Sequence, residues 1–435
     1  MAIETFQGDN AYELKRRKCA RMLIWACFIM YIFAMGTKNI FTAEIVVLQE
    51  VFETTKAQTS LAMTYYFIPY AVVQVLLSIF MPRIRLSVYL AITLATSAVI
   101  TIVLGVAPSI ETAYVLCAAN GVMQAGAYSG CMALISKYVP GDMLNGANRI
   151  MTMASVAYGV ISYGMPALFV GHGLWNVPFF LAGGLFLLSV LFFFYSINKM
   201  RTFGTALFDG GNSSGKPIKK EREFITLSST KQKAYYLAIM FLITFFANVM
   251  HYAVLNWIPD LLFEVFGMPR EYSILITLIV TVVSAIFSLT SIAICEKKDN
   301  LMNVAMSFLF GVITCAAIII FVYDVNVVLS LVLLILYIGF GSGARASFGG
   351  ILAFRMRKQI NSGSYLASTN AVASVVAGVA PPIAGALIDA FPGIKGYSML
   401  FVVMAGIVLL FIITLVCYSI WFNANRKRAA KNTEK

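Results

Sequence analysis

The chain has 435 residues, of which 60% are hydrophobic and 12% are charged, and its formal net charge is +13. So apolar a composition lies outside the range of soluble globular domains and indicates an integral membrane protein. The basic excess would suggest nucleic acid in a soluble protein. Here its meaning depends on where the basic residues fall relative to the apolar segments.

Twelve apolar segments are long enough to cross a bilayer as helices, for which about 20 residues are needed. Backbone groups in lipid must be satisfied within each span, and strands of a membrane barrel would alternate in polarity. We therefore predict an all-α membrane protein with twelve transmembrane helices in two six-helix bundles. The predicted spans are 19–47, 57–82, 86–107, 110–138, 144–170, 174–197, 233–264, 270–295, 300–323, 325–354, 361–390 and 395–422.

The basic residues fall on alternate loops. With both termini in the cytoplasm, 27 of the 32 Lys and Arg residues lie on the cytoplasmic side. The opposite loops hold only Lys56, Arg270 and Lys395, and two further basic residues lie inside spans. This positive-inside distribution fits an even number of spans and predicts a multi-pass protein of the plasma (inner) membrane.

The spans divide six and six around a polar stretch with a glycine-serine core. The predicted organisation is a cytoplasmic tail (1–18), an N-terminal bundle (19–198), a cytoplasmic linker (199–232), a C-terminal bundle (233–422) and a second tail (423–435). Two six-helix halves on a polar hinge resemble the major facilitator superfamily, which binds its substrates at the midplane between the halves. SIFMPRIR and IAICEKKDN resemble copies of that superfamily's GxxxDR/K loop, with Pro82 in place of the first acid. On this resemblance we predict gating residues at Arg83, Glu296 and Lys297.

Two basic residues, Lys38 and Arg345, lie deep inside predicted spans with no acid at comparable depth. A charge near the bilayer centre costs about 3 kcal/mol or more, so it normally faces a wet cavity. Lys38 could instead snorkel to the outer surface, but about nine residues, roughly 13 Å, separate it from the end of its helix. Arg345 could instead contact helix-end carbonyls, although a guanidinium suits a carboxylate or phosphate. We expect both residues to hold an anion.

Polar residues concentrate on the first, second, fourth, fifth, seventh, tenth and eleventh spans. His251, near the middle of the seventh span, could carry a proton or donate to an anion, or could be a buried histidine satisfied by a hydroxyl. The tyrosines either line the cavity or anchor the protein at the interface. The predicted substrate-binding set is Lys38, Arg345, His251, Tyr65, Tyr66, Gln124, Tyr128, Tyr158, Tyr252, Asn256, Trp257 and Asn370, with His251 also the proton-coupling candidate.

The acids lie elsewhere. Glu44, Asp260 and Glu264 fall toward the outer ends of their spans, and the first and fourth spans have no acid at mid-depth. A cavity holding Lys38 and Arg345 repels cations, which disfavours export of cationic drugs. The sequence has no HExxH, P-loop or GxSxG motif, so we do not expect an enzyme.

The seventh span reads FFANVMHYAVLNWIPDLLFE and resembles the seventh helix of the organophosphate:phosphate antiporters, the glycerol-3-phosphate and hexose-phosphate carriers, where ANV, RYG and DWxP occur at this spacing. Further similarity runs through GTKNIF in the first span, GVMQAGAYSGC between the fourth and fifth, and GSYLASTNAVAS in the eleventh. By this resemblance the two phosphate-gripping arginines of the family fall on Thr37 and His251, the adjacent lysine is Lys38, and the helix-5 histidine falls near Ser155. With both arginines replaced, a carboxylate or another organic anion fits the chain better than phosphate.

We therefore expect a secondary active transporter that moves a small organic anion, a carboxylate or a phosphorylated metabolite, by alternating access. Two alternatives are a transporter-like membrane sensor of an organic anion and a carrier for a neutral or zwitterionic metabolite. Symport with a proton and exchange against a counter-anion both fit the sequence. The expected partners are the anionic substrate and the lipid bilayer. We expect no cofactor, metal or nucleic acid, and a monomeric state.

Overall fold

The computed structural model describes residues 2–80, 83–202, 230–297, 311–315, 326–346, 362–391 and 393–433. Within these residues all regular structure is helical. The N-terminal half contains α1 Ala2–Ala43, α2 Ile45–Val51, α3 Lys56–Phe80, α4 Leu86–Leu104, α5 Ile110–Gln124, α6 Ala127–Tyr138, α7 Gly141–Gly159, α8 Met165–Phe169 and α9 Val177–Arg201. The C-terminal half contains α10 Thr230–Leu255, α11 Ile258–Glu264, α12 Arg270–Lys297, α13 Val327–Ala346, α14 Ser362–Ala390 and α15 Ile394–Thr433.

Nine helical stretches among the described residues are long and apolar enough to cross a membrane. They match nine of the twelve predicted spans. The predicted spans 110–138 and 144–170 are helical as well, but each consists of shorter consecutive segments. The predicted span 300–323 lies outside the described residues except for 311–315. The structure is therefore consistent with twelve spans in an all-helical membrane protein.

The breaks within spans have local causes. A π-helical turn, Val160–Gly164, joins α7 to α8, and single π turns of this kind often mark functional sites in helices. The seventh span breaks after Leu255, and Pro259 occupies the first turn of α11, where its missing N–H is tolerated. Ile161, Ser162 and Tyr163 of the π turn are buried, as is Trp257 at the break in the seventh span, and irregular backbone at membrane depth is tolerated where protein surrounds it.

The two halves meet closely where α3 packs along α14. Gly378 of α14 lies against Phe67 and Thr64, and the Thr64 hydroxyl donates to the Gly378 carbonyl at 2.5 Å. About two turns further along α14, Gly385 lies against Trp257 and the backbone of Ala57. Because a Cβ at either glycine would come within 3.0 Å or less of a neighbouring atom, the small residues permit this close approach.

Ion pairs also join the halves at one end of the bundle, which we call the outer end because the basic residues of alternate loops predict it to be non-cytoplasmic. Lys56 of α3 lies 2.6 Å from Asp260 and 2.5 Å from Glu264 of α11. The Tyr397 hydroxyl of α15 also donates to Asp260. We refer to Lys56, Asp260, Glu264 and Tyr397 as the outer lock.

Two more contacts support the closed outer end. Arg270 at the start of α12 pairs with Glu50 of α2. The backbone N–H of Ala57 donates to the Asp389 carboxylate at 2.9 Å, so α14 caps the beginning of α3. The structure thus holds the outer end closed by contacts that must break if the halves separate there.

Candidate functional site

Two cations from opposite halves meet across a pair of aromatic rings in the middle of the bundle. The Lys38 ammonium of α1 lies 5.0 Å from the centroid of Phe67 of α3. The rings of Phe67 and Tyr252 are 6.4 Å apart, and the Arg345 guanidinium of α13 lies 5.8 Å from the Tyr252 ring. We call Lys38, Phe67, His251, Tyr252 and Arg345 the central site. Rings of this kind stabilise the cations through their negative faces but leave their charge uncancelled.

Acidic partners for these two cations are missing from the part of the chain that the structure describes. The Lys38 ammonium contacts the Met35 sulfur at 3.6 Å, and a thioether is a weak acceptor. Lys38 and Arg345 are both half-buried and lie within electrostatic range of each other. Two like charges in a poorly screened interior repel, and an anion between them would relieve that repulsion.

His251 adds a third nitrogen-bearing group to the central site. Its side chain is buried, its ring meets Tyr252 edge to face at 5.2 Å, and its Nδ1 atom lies 3.4 Å from the Ser342 hydroxyl. Serine can donate to or accept from Nδ1, so this contact fits either neutral tautomer. The contact leaves Nε2 as the ring nitrogen that can serve a ligand.

A buried polar cluster fixes the helix that carries Lys38. The Tyr66 hydroxyl donates to Gln124 Oε1 at 2.6 Å. Gln124 Nε2 donates in turn to Ser97 at 2.8 Å and to the Thr37 hydroxyl at 3.3 Å. Thr37 precedes Lys38, so the cluster ties α1 to α3, α4 and α5 immediately beside the central site. In this structure the polar groups of Tyr66 and Gln124 are hydrogen-bonded to other protein side chains.

Two other predicted tyrosines lie near the central site. Tyr158 is within electrostatic range of Tyr252 and Arg345. Tyr128 packs on Tyr31 with ring centroids 5.3 Å apart, and Tyr31 is itself within range of Tyr158. The N-terminal half therefore presents aromatic side chains toward Arg345, the cation that the C-terminal half contributes to the central site.

The remaining predicted binding residues have other surroundings. Tyr65 is 46% exposed and stacks on Tyr114 at 4.7 Å, on the opposite face of α3 from Phe67. Trp257 is fully buried and donates to the Pro381 carbonyl at 3.0 Å. Asn256 donates to the Tyr252 carbonyl at 2.6 Å. Asn370 is exposed near the start of α14.

Of the predicted gating residues, Arg83 is exposed in the connection between α3 and α4. Glu296 and Lys297 end α12, and their side chains lie outside the described residues, as does that of Ser155. Sequence reasoning missed Phe67, because an apolar residue in an apolar span carries no signal of its own. It also missed the pairing of Lys56 with Asp260 and Glu264, although all three were placed at outer ends and their opposite charges could have suggested it.

Comparisons with known proteins identify the superfamily. Residues 26–359 match the family model described as Major Facilitator Superfamily. None of the curated protein sequences matches the chain.

Solved transporter structures share the fold at low sequence identity. A bacterial homologue of the human lysosomal transporter Spinster, inward-facing and unoccupied, aligns with a TM-score of 0.69 at 13% identity, covering 94% of this chain and 97% of that one. The nucleoside transporter NupG aligns with a TM-score of 0.66 at 13% identity, covering 92% and 98%. A D-xylose-proton symporter aligns with a TM-score of 0.67 at 12% identity, covering 90% and 96%. The family model covers well over half of the chain, so this protein belongs to the Major Facilitator Superfamily.

Proposed function

We propose that this protein is a secondary transporter that moves a small organic anion across the plasma membrane by alternating access. The observation that carries the proposal is the pair of cations in the central site, Lys38 and Arg345, one from each half and without an acidic partner among the described residues. An anion bound by both would connect the two halves directly. Its release or capture would then be linked to their relative movement.

A carboxylate suits the site better than a phosphate ester. Thr37 stands where the organophosphate:phosphate antiporters resembled by the sequence have one arginine, and its hydroxyl donates to the Phe33 carbonyl at 2.9 Å while accepting from Gln124. His251 stands at the second arginine position. The site therefore offers one guanidinium, one ammonium and neutral donors from His251 and Tyr158. This set matches a carboxylate, which carries less negative charge than a phosphate ester.

Coupling can follow either of two routes with this set of residues. Exchange against a second anion needs only that the unoccupied pair of cations resist the conformational change. Proton symport would use His251, whose imidazole can take up a proton when an anion lies nearby. The comparisons with nucleoside and xylose transporters concern the fold alone, so a neutral metabolite is kept as the competing substrate class in the test below.

The test is a ligand screen on purified protein followed by transport measurements. Thermal shifts would be measured with mono- and dicarboxylates, phosphate esters, nucleosides and sugars against the wild type, Lys38→Ala and Arg345→Ala. We expect carboxylates to stabilise the wild type and each variant to bind roughly ten- to a hundredfold more weakly, because a hydrogen bond to a charged group contributes about 1.5–3 kcal/mol.

Lys137→Ala is the matched control, since Lys137 is exposed and contacts only the ring of Tyr138 among the described residues. It should leave binding unchanged. Stabilisation by a nucleoside or sugar that survives Lys38→Ala would refute the anion site. Binding without uptake or exchange of the same compound in proteoliposomes would favour the sensor alternative.

The proposed orientation places both termini in the cytoplasm. It is supported by the basic residues of alternate loops. Fusion of a periplasm-dependent and a cytoplasm-dependent reporter to Lys435 and to Val106 tests it. Activity of only the cytoplasm-dependent reporter at Lys435 and only the other at Val106 is the expected result.

A further inference from the structure

Glu44 is a buried acid that the central site does not use. It separates α1, which ends at Ala43, from α2, which begins at Ile45. Its side chain is 0% exposed, and neither carboxylate oxygen has a hydrogen-bond partner within the described ranges. Native proteins rarely leave both oxygens of a buried carboxyl group unsatisfied, so its state of ionisation needs an explanation.

The position of Glu44 lies at the junction of the two halves. On one side, Ala43 shares an apolar cluster with Tyr163 of the π turn and Ile274 of α12. On the other side, Ile45 belongs to the apolar core of the C-terminal half, which includes Ile258 of α11. The residues on both sides of Glu44 therefore pack against the C-terminal half, and an opening of the outer end would separate these contacts.

Neighbouring charges do not compensate Glu44. Lys56 is engaged by Asp260 and Glu264, and Arg270 is paired with Glu50. The described structure gives Glu44 no ion pair, and its carboxyl group is fully buried. Titratable or charged side chains toward the outer ends of the elements around it include Glu50, Lys56, Tyr163, His172, Asp260, Glu264, Arg270, Glu271, Tyr272, Lys395 and Tyr397, and Lys38 precedes it by six residues on α1.

An ionised carboxylate without a partner in such a place costs several kcal/mol, whereas a neutral carboxylic acid costs much less. We propose that Glu44 is a proton-binding site that fills as the outer end closes. The carboxylate takes one proton from the aqueous phase at the outer end and becomes a carboxylic acid, and no other bond changes. The inference rests on burial and packing at the outer end and holds for any substrate of the central site.

The direction of the resulting pH dependence follows from linkage. The closed outer end binds the proton more tightly than the open one, so lowering the pH favours closure, by up to a tenfold change in the ratio of closed to open molecules per pH unit for one proton. Titration of the outer lock acts in the opposite direction. Protonation of Asp260 or Glu264 would weaken their attraction to Lys56 and open the outer end in acid. The sign therefore distinguishes Glu44 from the outer lock.

The experiment measures the separation of the two halves at the outer end. Spin labels would be placed on cysteines at Val106 and Phe391, both exposed on outer connections of opposite halves, in protein whose native cysteines have been replaced. Distance distributions by pulsed electron resonance would be recorded without substrate in lipid nanodiscs at several pH values between about 5 and 9. For the parent protein, which carries the two labels and keeps Glu44, we expect the short-distance population to rise as the pH falls.

Glu44→Gln should keep the short-distance population high at every pH, since glutamine mimics the neutral acid. Glu44→Asp should retain the pH response. Glu111→Gln makes the same chemical change at an acid in the first turn of α5 on the outer side and should behave like the parent protein. Acid-induced opening of the parent protein, or an unchanged pH response in Glu44→Gln, would overturn the proposal. The sign in the parent protein decides even if a variant fails to fold.

Discussion

At the scale of single residues, the central site combines one ammonium and one guanidinium, and the two groups are not equivalent. Lys38 presents a compact point charge beside Phe67. Arg345 presents a planar fork of donors above Tyr252, which can hold both oxygens of one carboxylate. If the substrate carries a carboxylate, Arg345 is the residue that fixes its orientation, whereas Lys38 supplies attraction from the other half.

Arg345→Lys tests this assignment because it keeps the charge and removes the fork. We expect carboxylate affinity to fall about tenfold, near 1.4 kcal/mol, without loss of the preference for anions. Titration calorimetry with the best carboxylate from the screen measures the effect. Arg85→Lys, at an exposed residue preceding α4, is the control and should bind as the wild type does. Equal affinity in Arg345→Lys would mean that Arg345 acts only as a point charge.

The residues of the central site show what a sequence can reveal at this scale. Lys38, Arg345 and His251 are conspicuous because polar groups in apolar spans are expensive. The sequence does not show which of Phe67 and Tyr65 faces the central site, since both are aromatic residues in one helix. Only the rotation of α3 places Phe67 beside Lys38 and Tyr65 against Tyr114. Packing between helices sets that rotation, and single-chain patterns do not contain it.

At the scale of the elements, the contact between α3 and α14 governs how closely the halves approach. At Gly378 a Cβ would lie 3.0 Å from the Phe67 Cβ and 3.3 Å from the Thr64 Cα. These atoms belong to the backbone of α3 or are bonded directly to it, so they cannot move aside without a shift of the helix. Predicting twelve apolar spans from composition was feasible because each span obeys a length rule. The matching of a glycine on one span to a side chain on another depends on the register of two helices.

Gly378→Val should keep the outer end from closing, because its branched side chain requires α3 and α14 to move apart. We expect a longer distance between labels at Val106 and Phe391 and at least a tenfold loss of transport, while the protein remains folded. Gly406→Val is the matched control: it makes the same change within α15, where an added Cβ meets nothing within 4 Å. Similar label distances in the two variants would contradict a steric role for Gly378.

At the scale of the whole molecule, opening and closing must exchange one set of contacts between halves for another. The outer lock joins residues more than 200 positions apart in sequence, Lys56 with Asp260 and Glu264. The sequence alone predicts Lys56 on an outer loop and Asp260 and Glu264 toward the outer end of the seventh span, but it does not pair them. Their pairing appears only when the two bundles are assembled, because neither half alone contains both signs of the lock.

Lys56→Gln tests whether the outer lock holds this state. The change leaves Asp260, which is fully buried, and the neighbouring Glu264 without their cation, and breaking a buried pair in this way typically costs about 3–5 kcal/mol. Opening the outer end lets water reach both acids, so the cost falls on the closed state alone and the label distance between Val106 and Phe391 should lengthen. Lys395→Gln removes an exposed cation from the same end and should leave that distance unchanged. If Lys56→Gln stays closed to the same extent as Lys395→Gln, helix packing along α3 and α14 rather than charge pairing would be the force that closes the outer end.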